Sequence, residues 1–304
     1  MNASEPGRAH LDTERANEAT AELDRLSTAE ALARILAEDA TVPRAVAGAA
    51  PEIVHAVELI AARLAAGGRL FYLGAGTSGR LGVLDAAECP PTFRTAPALV
   101  QGVIAGGEAA LTRAVEGVED SRSAAAEELE RRGLGSGDVV FGIAAGGTTP
   151  YVHAGLAHAR ERGAATVFLA CVPREQAGDE ADVSIRVPTG PEVIAGSTRL
   201  KAGTATKLVL NAVSTLVMVR LGKVHGNLMV GLEAGANEKL RERGTGIVAE
   251  LTGLARAEAA ARLAAADGDV KVAVLAHLRA LTPASARERL AAHGGHLRAA
   301  LEAD

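Results

Sequence analysis

The apolar positions in the first part of the chain recur at helical spacing. Between residues 50 and 65, one helical face carries the apolar residues Ile53, Ala56, Val57, Ile60 and Leu64. Further upstream, Ser27 is followed three residues later by Glu30, the spacing of a capping box at the start of a helix. Pro43 and Pro51 suit the first turns of two further helices. The pattern therefore predicts helices over most of residues 22–67.

From residue 69 onward, short apolar runs alternate with helical stretches. The runs predict five strands, at residues 69–74, 99–104, 138–143, 165–171 and 182–187. Helices are predicted between them, at residues 79–88, 107–113, 121–132 and 150–162. Runs that are apolar throughout are typical of parallel strands buried on both faces. The alternation predicts an α/β fold with a doubly wound five-stranded parallel sheet, in which ligands bind at the carboxyl ends of the strands.

Differences in composition along the chain predict its domain organisation. Residues 1–19 are polar and are expected to form a flexible arm. Residues 20–243 are expected to form the α/β domain with its N-terminal helices, and they include a long helix over residues 197–221. This helix carries one apolar stripe, formed by Leu208, Val209, Ala212, Leu216 and Val219. Residues 244–304 are rich in Ala, Arg and Glu, and breaks at residues 267–268, 283 and 294–295 predict a small helical C-terminal domain.

The overall composition narrows the classes of function. The 304 residues carry a net charge of −5 and only 2 % aromatic residues, so nothing predicts a nucleic-acid partner. Two distant cysteines, Cys89 and Cys171, provide neither a disulfide framework nor zinc-ligand spacing, and both are expected to be small buried residues. The first twenty residues are polar, and no apolar run approaches the length of about 18 residues that a membrane span needs. We therefore expect a cytoplasmic protein without a membrane partner.

The first glycine-rich turn, residues 74–80, is the most informative motif. It stands between a predicted strand and a predicted helix, an arrangement that directs free backbone N–H groups toward an anion. The hydroxyls of Thr77 and Ser78 add donors, so Gly76, Thr77, Ser78 and Gly79 are candidate binding residues for a sugar phosphate. The spacing also fits a dinucleotide fingerprint. That fingerprint requires an acidic residue about 20 positions after the glycines, and this chain has none there. A purely structural turn is the third alternative.

Two further segments could contribute to the same ligand site. The third predicted strand runs into a second glycine-rich turn, whose candidate binding residues are Gly146, Gly147, Thr148 and Thr149. Ser197 and Thr198 stand at the start of the predicted long helix, where hydroxyls and nearby cations could hold an anion. A simple helix cap with a solvated basic turn explains Ser197 and Thr198 equally well.

Acidic residues at two places are candidates for acid–base chemistry. Glu88 precedes a cysteine and two prolines, which are expected to end the helix and to hold Glu88 at a rigid corner. The helix dipole disfavours a carboxylate at that end, so Glu88 is either functional or a solvated charge. Glu116 and Glu119 lie in an acidic cluster before the helix predicted at residues 121–132. Capping of that helix needs only one such group, which leaves one of them as a catalytic candidate.

Residues 73–92 resemble the signature of the N-acetylmuramic acid 6-phosphate etherases, a family of the sugar isomerase (SIS) superfamily. Further segments match in the same order, at residues 104–108, 114–120, 192–211, 226–230 and 293–295. The resemblance implies a lyase that cleaves the lactyl ether of N-acetylmuramic acid 6-phosphate and releases N-acetylglucosamine 6-phosphate and D-lactate. It also implies no metal or organic cofactor, a phosphosugar substrate, a homodimer, and catalytic glutamates at Glu88 and Glu119.

The second glycine-rich turn departs from the family pattern. The family commonly has Ser followed by Gly-Arg-Thr-Pro-Tyr, whereas this chain has Gly146 in place of the serine and Thr148 in place of the arginine. A hydroxyl and a guanidinium are therefore missing. Two other functions remain open: a non-catalytic sugar-phosphate-binding regulator, as in the related glucokinase regulatory proteins, and a phosphosugar isomerase. Free D-lactate as a product distinguishes the etherase from both.

Overall fold

The computed structural model describes residues 7–232, 234–235 and 237–303. The chain divides into two compact units: the first comprises residues up to Ala87 together with Ala98–Val213, and the second comprises Glu88–Pro97 together with the residues from Ser214 onward. The C-terminal part of the second unit thus begins at residue 214, earlier than the expected boundary at residue 244. The reason is that Val230 and Leu232, which precede the C-terminal helices, are buried in the same apolar core as those helices.

The N-terminal residues pack onto the first unit, which differs from the flexible arm expected over residues 1–19. Residues 1–6 lie outside the described residues. Short 3-10 turns follow one another at Arg8–His10, Asp12–Glu14, Glu18–Thr20 and Leu23–Arg25. Leu11 and Thr13 are fully buried, and Leu11 belongs to the main apolar core. A single apolar residue between polar neighbours gives no periodicity, so the pattern could not reveal this packing.

Three helices precede the sheet: α1 at Thr28–Asp39, α2 at Val42–Gly48 and α3 at Ala50–Ala65. The predicted capping box at α1 is confirmed, because the Ser27 hydroxyl accepts the Glu30 N–H while the Glu30 carboxylate accepts the Ser27 N–H. Pro43 and Pro51 lie in the first turns of α2 and α3, as predicted. The predicted apolar face of α3 is confirmed as buried.

The sheet has five parallel strands in the order β2-β1-β3-β4-β5. The strands are β1 at Leu70–Gly74, β2 at Val100–Ile104, β3 at Val139–Ile143, β4 at Ala165–Ala170 and β5 at Val183–Arg186. Each lies within a predicted run, and the predicted α/β fold with a doubly wound parallel sheet is confirmed. β1, β3 and β4 are buried along their whole length, as expected for central parallel strands.

The connecting helices are α4 at Gly76–Phe93, α5 at Ala109–Thr112, α6 at Ala124–Arg131, α7 at Pro150–Glu161 and α8 at Lys201–Arg220. α8 is long and apolar enough to cross a membrane by length and composition, but 56 % of its most apolar window is buried inside the protein. Burial of that kind is typical of a core helix. Because Leu216 and Val219 remain exposed, the predicted apolar stripe of α8 is only partly covered.

The expectation that the prolines end α4 near Glu88 is wrong. Pro90 and Pro91 lie inside the helix, which continues to Phe93. Each proline removes one backbone donor from the helix. The last turn is nevertheless held, because the Arg94 N–H donates to the Pro90 carbonyl and because Cys89 and Phe93 are buried. Glu88 therefore stands within a helix and not at a corner.

The second unit contains the C-terminal helices α9 at Glu238–Thr252, α10 at Arg256–Ala265, α11 at Val270–Leu278, α12 at Pro283–Ala292 and α13 at Leu297–Glu302. The predicted breaks at residues 267–268 and 294–295 fall between helices, and Pro283 is the first residue of α12. The apolar faces of these helices form a core of their own, in which Val248, Val274 and Leu275 are fully buried.

Candidate active site

The carboxyl ends of β1, β2 and β3 meet at a cavity of about 300 Å³. Ala75 and Ala105 line it directly after β1 and β2, and Ala145 lines it just beyond the end of β3. β1 has β2 on one side and β3 on the other, so the cavity lies at the switch point of the sheet, where open α/β sheets bind ligands. All residues that line the cavity belong to the first unit.

The first glycine turn brings the N-terminus of α4 to this cavity. Gly76, Thr77 and Ser78 line it. α4 begins at Gly76, so its first N–H groups have no partners within the helix and are available to an anion. The two hydroxyls lie beside these groups. The turn thus has the donors that a phosphate requires.

Gly79 has a structural role in the same turn. It is buried and is not among the residues that line the cavity. A Cβ atom at Gly79 would lie 2.6 Å from the Gly74 carbonyl oxygen and 2.6 Å from Ile104 Cγ1. Glycine therefore allows α4 to begin close against the end of β1. Gly79 was predicted to be a binding residue, but it packs behind the residues that line the cavity.

The second glycine turn is divided in the same way. Gly146, Thr148 and Thr149 line the cavity, whereas Gly147 is buried behind them. Gly147 has a φ of +78°, and its carbonyl oxygen accepts a hydrogen bond of 2.7 Å from His153 Nε2. The turn consequently presents two threonines to the cavity on a fixed backbone.

Two of the predicted acidic candidates line the cavity, Glu116 and Glu119. Glu119 is half-buried on a 3-10 turn at Val118–Asp120, and Glu116 is exposed. The Ser121 hydroxyl accepts the Ala124 N–H at the start of α6. Because a hydroxyl satisfies that helix start, capping does not require either glutamate.

Glu88 has a different environment. It is exposed, lies on the part of α4 that belongs to the second unit, and is not among the residues that line the cavity. Along α4, it follows Ser78 by ten residues. Leu84, one turn earlier on the same helical face, is 51 % exposed. The pairing of Glu88 with Glu119 remains a prediction.

Comparison with known proteins identifies the family. The N-acetylmuramic acid 6-phosphate etherase of Gloeobacter violaceus is 59 % identical over 270 residues, which cover 89 % of this chain and 88 % of that protein. The etherase of Nostoc punctiforme is 55 % identical over 268 residues, covering 88 % of this chain and 87 % of that protein. The chain belongs to the N-acetylmuramic acid 6-phosphate etherase family.

Two family models agree with this membership, and a solved structure shares the fold. The model of the glucokinase regulatory protein N-terminal SIS domain matches residues 52–160, and the SIS domain model matches residues 123–216. A phosphoheptose isomerase from Francisella tularensis superposes with a TM-score of 0.50 at 15 % identity, covering 64 % of this chain and 100 % of that one. That similarity shows the SIS fold alone.

The start of α8 is not a free anion site in this member of the etherase family. Thr198 lines the cavity, but Ser197 does not. Glu192 is fully buried, and its carboxylate accepts the N–H groups of Lys201 and Ala202 at 2.9 and 3.0 Å. Burial raises the pKa of Glu192, although the two amides oppose that effect. The start of α8 is therefore capped by Glu192 and not by Ser197 or Thr198, and Lys201 is buried, which differs from the expected solvated basic turn.

The cavity-lining residues that were not predicted include Arg8, Leu11, Glu14 and Arg80. Arg80 is the last residue of the first glycine turn, and its guanidinium donates to the carbonyls of Leu111 and Arg113. Its position in a phosphate-binding motif could have indicated that Arg80 lines the site. The residues from the N-terminal segment gave no signal, because their polar surroundings are typical of a mobile arm.

Other potentially reactive groups do not form a site among the described residues. No cluster of His, Cys, Asp and Glu side chains there could hold a metal ion. Cys89 and Cys171 are both buried, as expected. Burial raises the pKa of Cys171 to about 12, which keeps its thiol protonated and unreactive at neutral pH.

Proposed function

We propose that the protein cleaves the D-lactyl ether of N-acetylmuramic acid 6-phosphate and releases N-acetylglucosamine 6-phosphate and D-lactate. The observation that carries the proposal is the 59 % identity, over nearly the whole chain, to a protein named for this activity. The cavity supports it, because a helix N-terminus with two hydroxyls faces a half-buried glutamate there. A phosphorylated substrate of this kind also supports a cytoplasmic location.

Both glycine turns are suited to hold the phosphate end of the substrate. Thr77 and Ser78 offer hydroxyls beside the unpaired N–H groups of α4, and Thr148 and Thr149 offer two more from the second turn. A phosphate monoester carries a charge of about −1.5 to −2 at neutral pH and accepts several such bonds. Fixing that end leaves the sugar carbons toward the acidic wall of the cavity.

The proposed chemistry is an elimination followed by an addition. In the open-chain sugar, the aldehyde at C1 acidifies the proton on C2, and a carboxylate removes it. The C3–O bond then breaks, a double bond forms between C2 and C3, and a carboxyl group protonates the departing lactate oxygen. Water adds its oxygen at C3, and a proton returns to C2. Two carboxyl groups with complementary protonation states therefore suffice.

Glu119 and Glu88 are the proposed pair. Glu119, in the cavity, is assigned as the base at C2, and Glu88 as the proton donor, as the family resemblance implies. Glu88 is exposed beside the exposed Leu84 on one face of α4, which suggests that another chain covers this face. We propose a homodimer in which Glu88 of the partner subunit completes the site.

The test is an assay for free D-lactate with N-acetylmuramic acid 6-phosphate as substrate. Glu119→Gln and Glu88→Gln should each lower kcat by at least about 100-fold, the scale of a general acid or base. Asp120→Asn is the matched control, since Asp120 is exposed next to Glu119 but does not line the cavity. Folded variants with near-normal rates would refute the two assignments. Absence of D-lactate release by the unmodified protein would refute the function and favour an isomerase or a regulator.

Mixed dimers test the subunit arrangement. A dimer of one Glu88→Gln chain and one Glu119→Gln chain retains one intact site if each site takes its two glutamates from different subunits. About half of the unmodified activity is then expected. If both glutamates come from the same subunit, neither site is intact and the mixed dimer should be as inactive as the single variants.

A further inference from the structure

The N-terminal segment, residues 8–20, is fixed over one side of the cavity. The Asp12 N–H donates to the Gln176 side chain at 2.9 Å, and the Gly196 N–H donates to the Thr13 carbonyl at 2.9 Å. The Thr20 hydroxyl donates to the Val193 carbonyl at 2.9 Å. With the burial of Leu11 and Thr13, these bonds tie the segment to parts of the chain more than 150 residues away. The segment is therefore a wall of the site.

Arg8 is the first residue of this wall and lines the cavity. The ring nitrogens of His10, in the same turn, lie 3.0 Å from the Gly7 carbonyl and 2.9 Å from the Gln176 carbonyl, so the backbone around Arg8 is held. The Arg8 side chain is exposed, and its guanidinium makes no hydrogen bond or ion pair with a described residue. Arg15, in the same segment, instead pairs with Asp12 at 3.0 Å.

The charges around the cavity show why an unpaired cation matters. Three carboxylates line it, those of Glu14, Glu116 and Glu119, against two guanidiniums, those of Arg8 and Arg80. The Arg80 guanidinium already donates to two backbone carbonyls. The second glycine turn supplies no cation. The substrate of the proposed reaction carries a phosphate and a carboxylate, which the three carboxylates that line the cavity would repel.

We infer that Arg8 binds an anionic group of the substrate, either the phosphate or the lactyl carboxylate, and so helps to determine specificity. The inference rests on the proposed function. A guanidinium presents paired donors that match the oxygens of both groups, and its charge is retained at every working pH. The N-terminal segment thus supplies, through Arg8, the cation that the second glycine turn lacks.

The experiment compares Arg8→Gln and Arg8→Lys with Arg15→Gln as the matched control from the same segment. Arg8→Gln should raise KM for N-acetylmuramic acid 6-phosphate at least about tenfold, the size expected for a lost charged hydrogen bond, with a smaller change in kcat. Arg8→Lys should restore part of the affinity. The melting temperature should not change, because the Arg8 side chain is exposed and unpaired in the described structure.

Inhibition by N-acetylglucosamine 6-phosphate, which has the phosphate but no lactyl group, distinguishes the two anions. Its inhibition constant should rise with KM if Arg8 binds the phosphate, and should stay unchanged if Arg8 binds the carboxylate. A KM for Arg8→Gln within twofold of that for Arg15→Gln would overturn the inference while the function stands. If the unmodified protein releases no D-lactate, the function itself fails, and calorimetric titration with N-acetylglucosamine 6-phosphate still decides whether Arg8 binds phosphate.

Discussion

The two glycine turns beside the cavity have similar sequences and similar positions but are held by different parts of the chain. In the first turn, Gly74 and Gly79 pack against each other, and the close contact is between backbone atoms five residues apart. In the second turn, Gly147 packs against Ala177 and accepts a hydrogen bond from His153. The closest backbone contact of the first turn is therefore internal, although Ile104 also packs against Gly79, whereas the second turn depends on Ala177, which lies far away in the chain.

This difference explains why a sequence motif identifies the first turn more readily than the second. A local backbone contact requires glycine at both ends of the turn, so the spacing itself carries the information. The second turn has one wall from the N-terminal segment, where Leu11 and Thr13 lie beside Gly146. Residues at Gly146 and Thr148 can differ from the family pattern while the backbone is kept in place by Ala177 and His153.

The largest effect is expected from Gly79→Ala in the first turn. The new Cβ would lie 2.6 Å from the Gly74 carbonyl oxygen, a backbone atom that cannot move aside without shifting β1. The stability of the first unit should fall by about 3 kcal/mol, at the upper end for overpacking, and turnover should be lost with the geometry of the turn. The measurement is urea denaturation followed by circular dichroism, together with the D-lactate assay.

Two variants control this prediction. Gly76→Ala places its Cβ in open space at a φ of +53°, so only backbone strain of about 1–2 kcal/mol is expected. Adding Ile104→Ala to Gly79→Ala removes the side-chain contact but leaves the backbone oxygen, and it should not restore stability. Recovery in that double variant would mean that the first turn is not limited by its own backbone.

The sheet and its ligand edge were predictable from the sequence for a physical reason. Buried parallel strands are continuous apolar runs, and a glycine turn after β1 fixes where a helix begins, so local pattern and tertiary structure agree. The exceptions depended on distant contacts. The prolines of α4 are accommodated because Cys89 and Phe93 are buried, and Leu11 is held by a core that its polar neighbours do not reveal. Because the burial of Leu11 holds the N-terminal segment in place, Arg8 and Glu14 reach the cavity.

A smaller loss, of about 2 kcal/mol, is expected from Gly147→Ala in the second turn. Its Cβ would lie 2.6 Å from Ala177 Cβ, and its φ of +78° adds strain for any residue with a side chain. Unlike the first turn, this one has a distant partner that can be removed. Gly147→Ala combined with Ala177→Gly should be more stable than the sum of the single effects by about 1 kcal/mol. Additive effects in a double-mutant cycle would contradict the dependence on Ala177.

The smallest effect is expected from Gly146→Ser, which restores the hydroxyl common in the family. A Cβ at Gly146 would lie 3.5 Å from Leu11 Cδ1 and 3.6 Å from Thr13 Oγ1, both ordinary contacts. Thr13 Oγ1 is buried and finds no hydrogen-bond partner among the described residues, so the new hydroxyl can bond to it. Stability should stay within about 0.5 kcal/mol of the unmodified protein or rise by up to about 1 kcal/mol.

Thr13→Val tests the source of any gain in Gly146→Ser. Thermal unfolding of both single variants and of the double variant measures their coupling, and the gain should disappear when the Thr13 hydroxyl is absent. A loss of more than 1 kcal/mol in Gly146→Ser would show that the second turn lacks room for a side chain. Tolerance would show instead that distant contacts set the backbone of this turn while leaving its cavity-facing residues free to change, which is the property that separates it from the first turn.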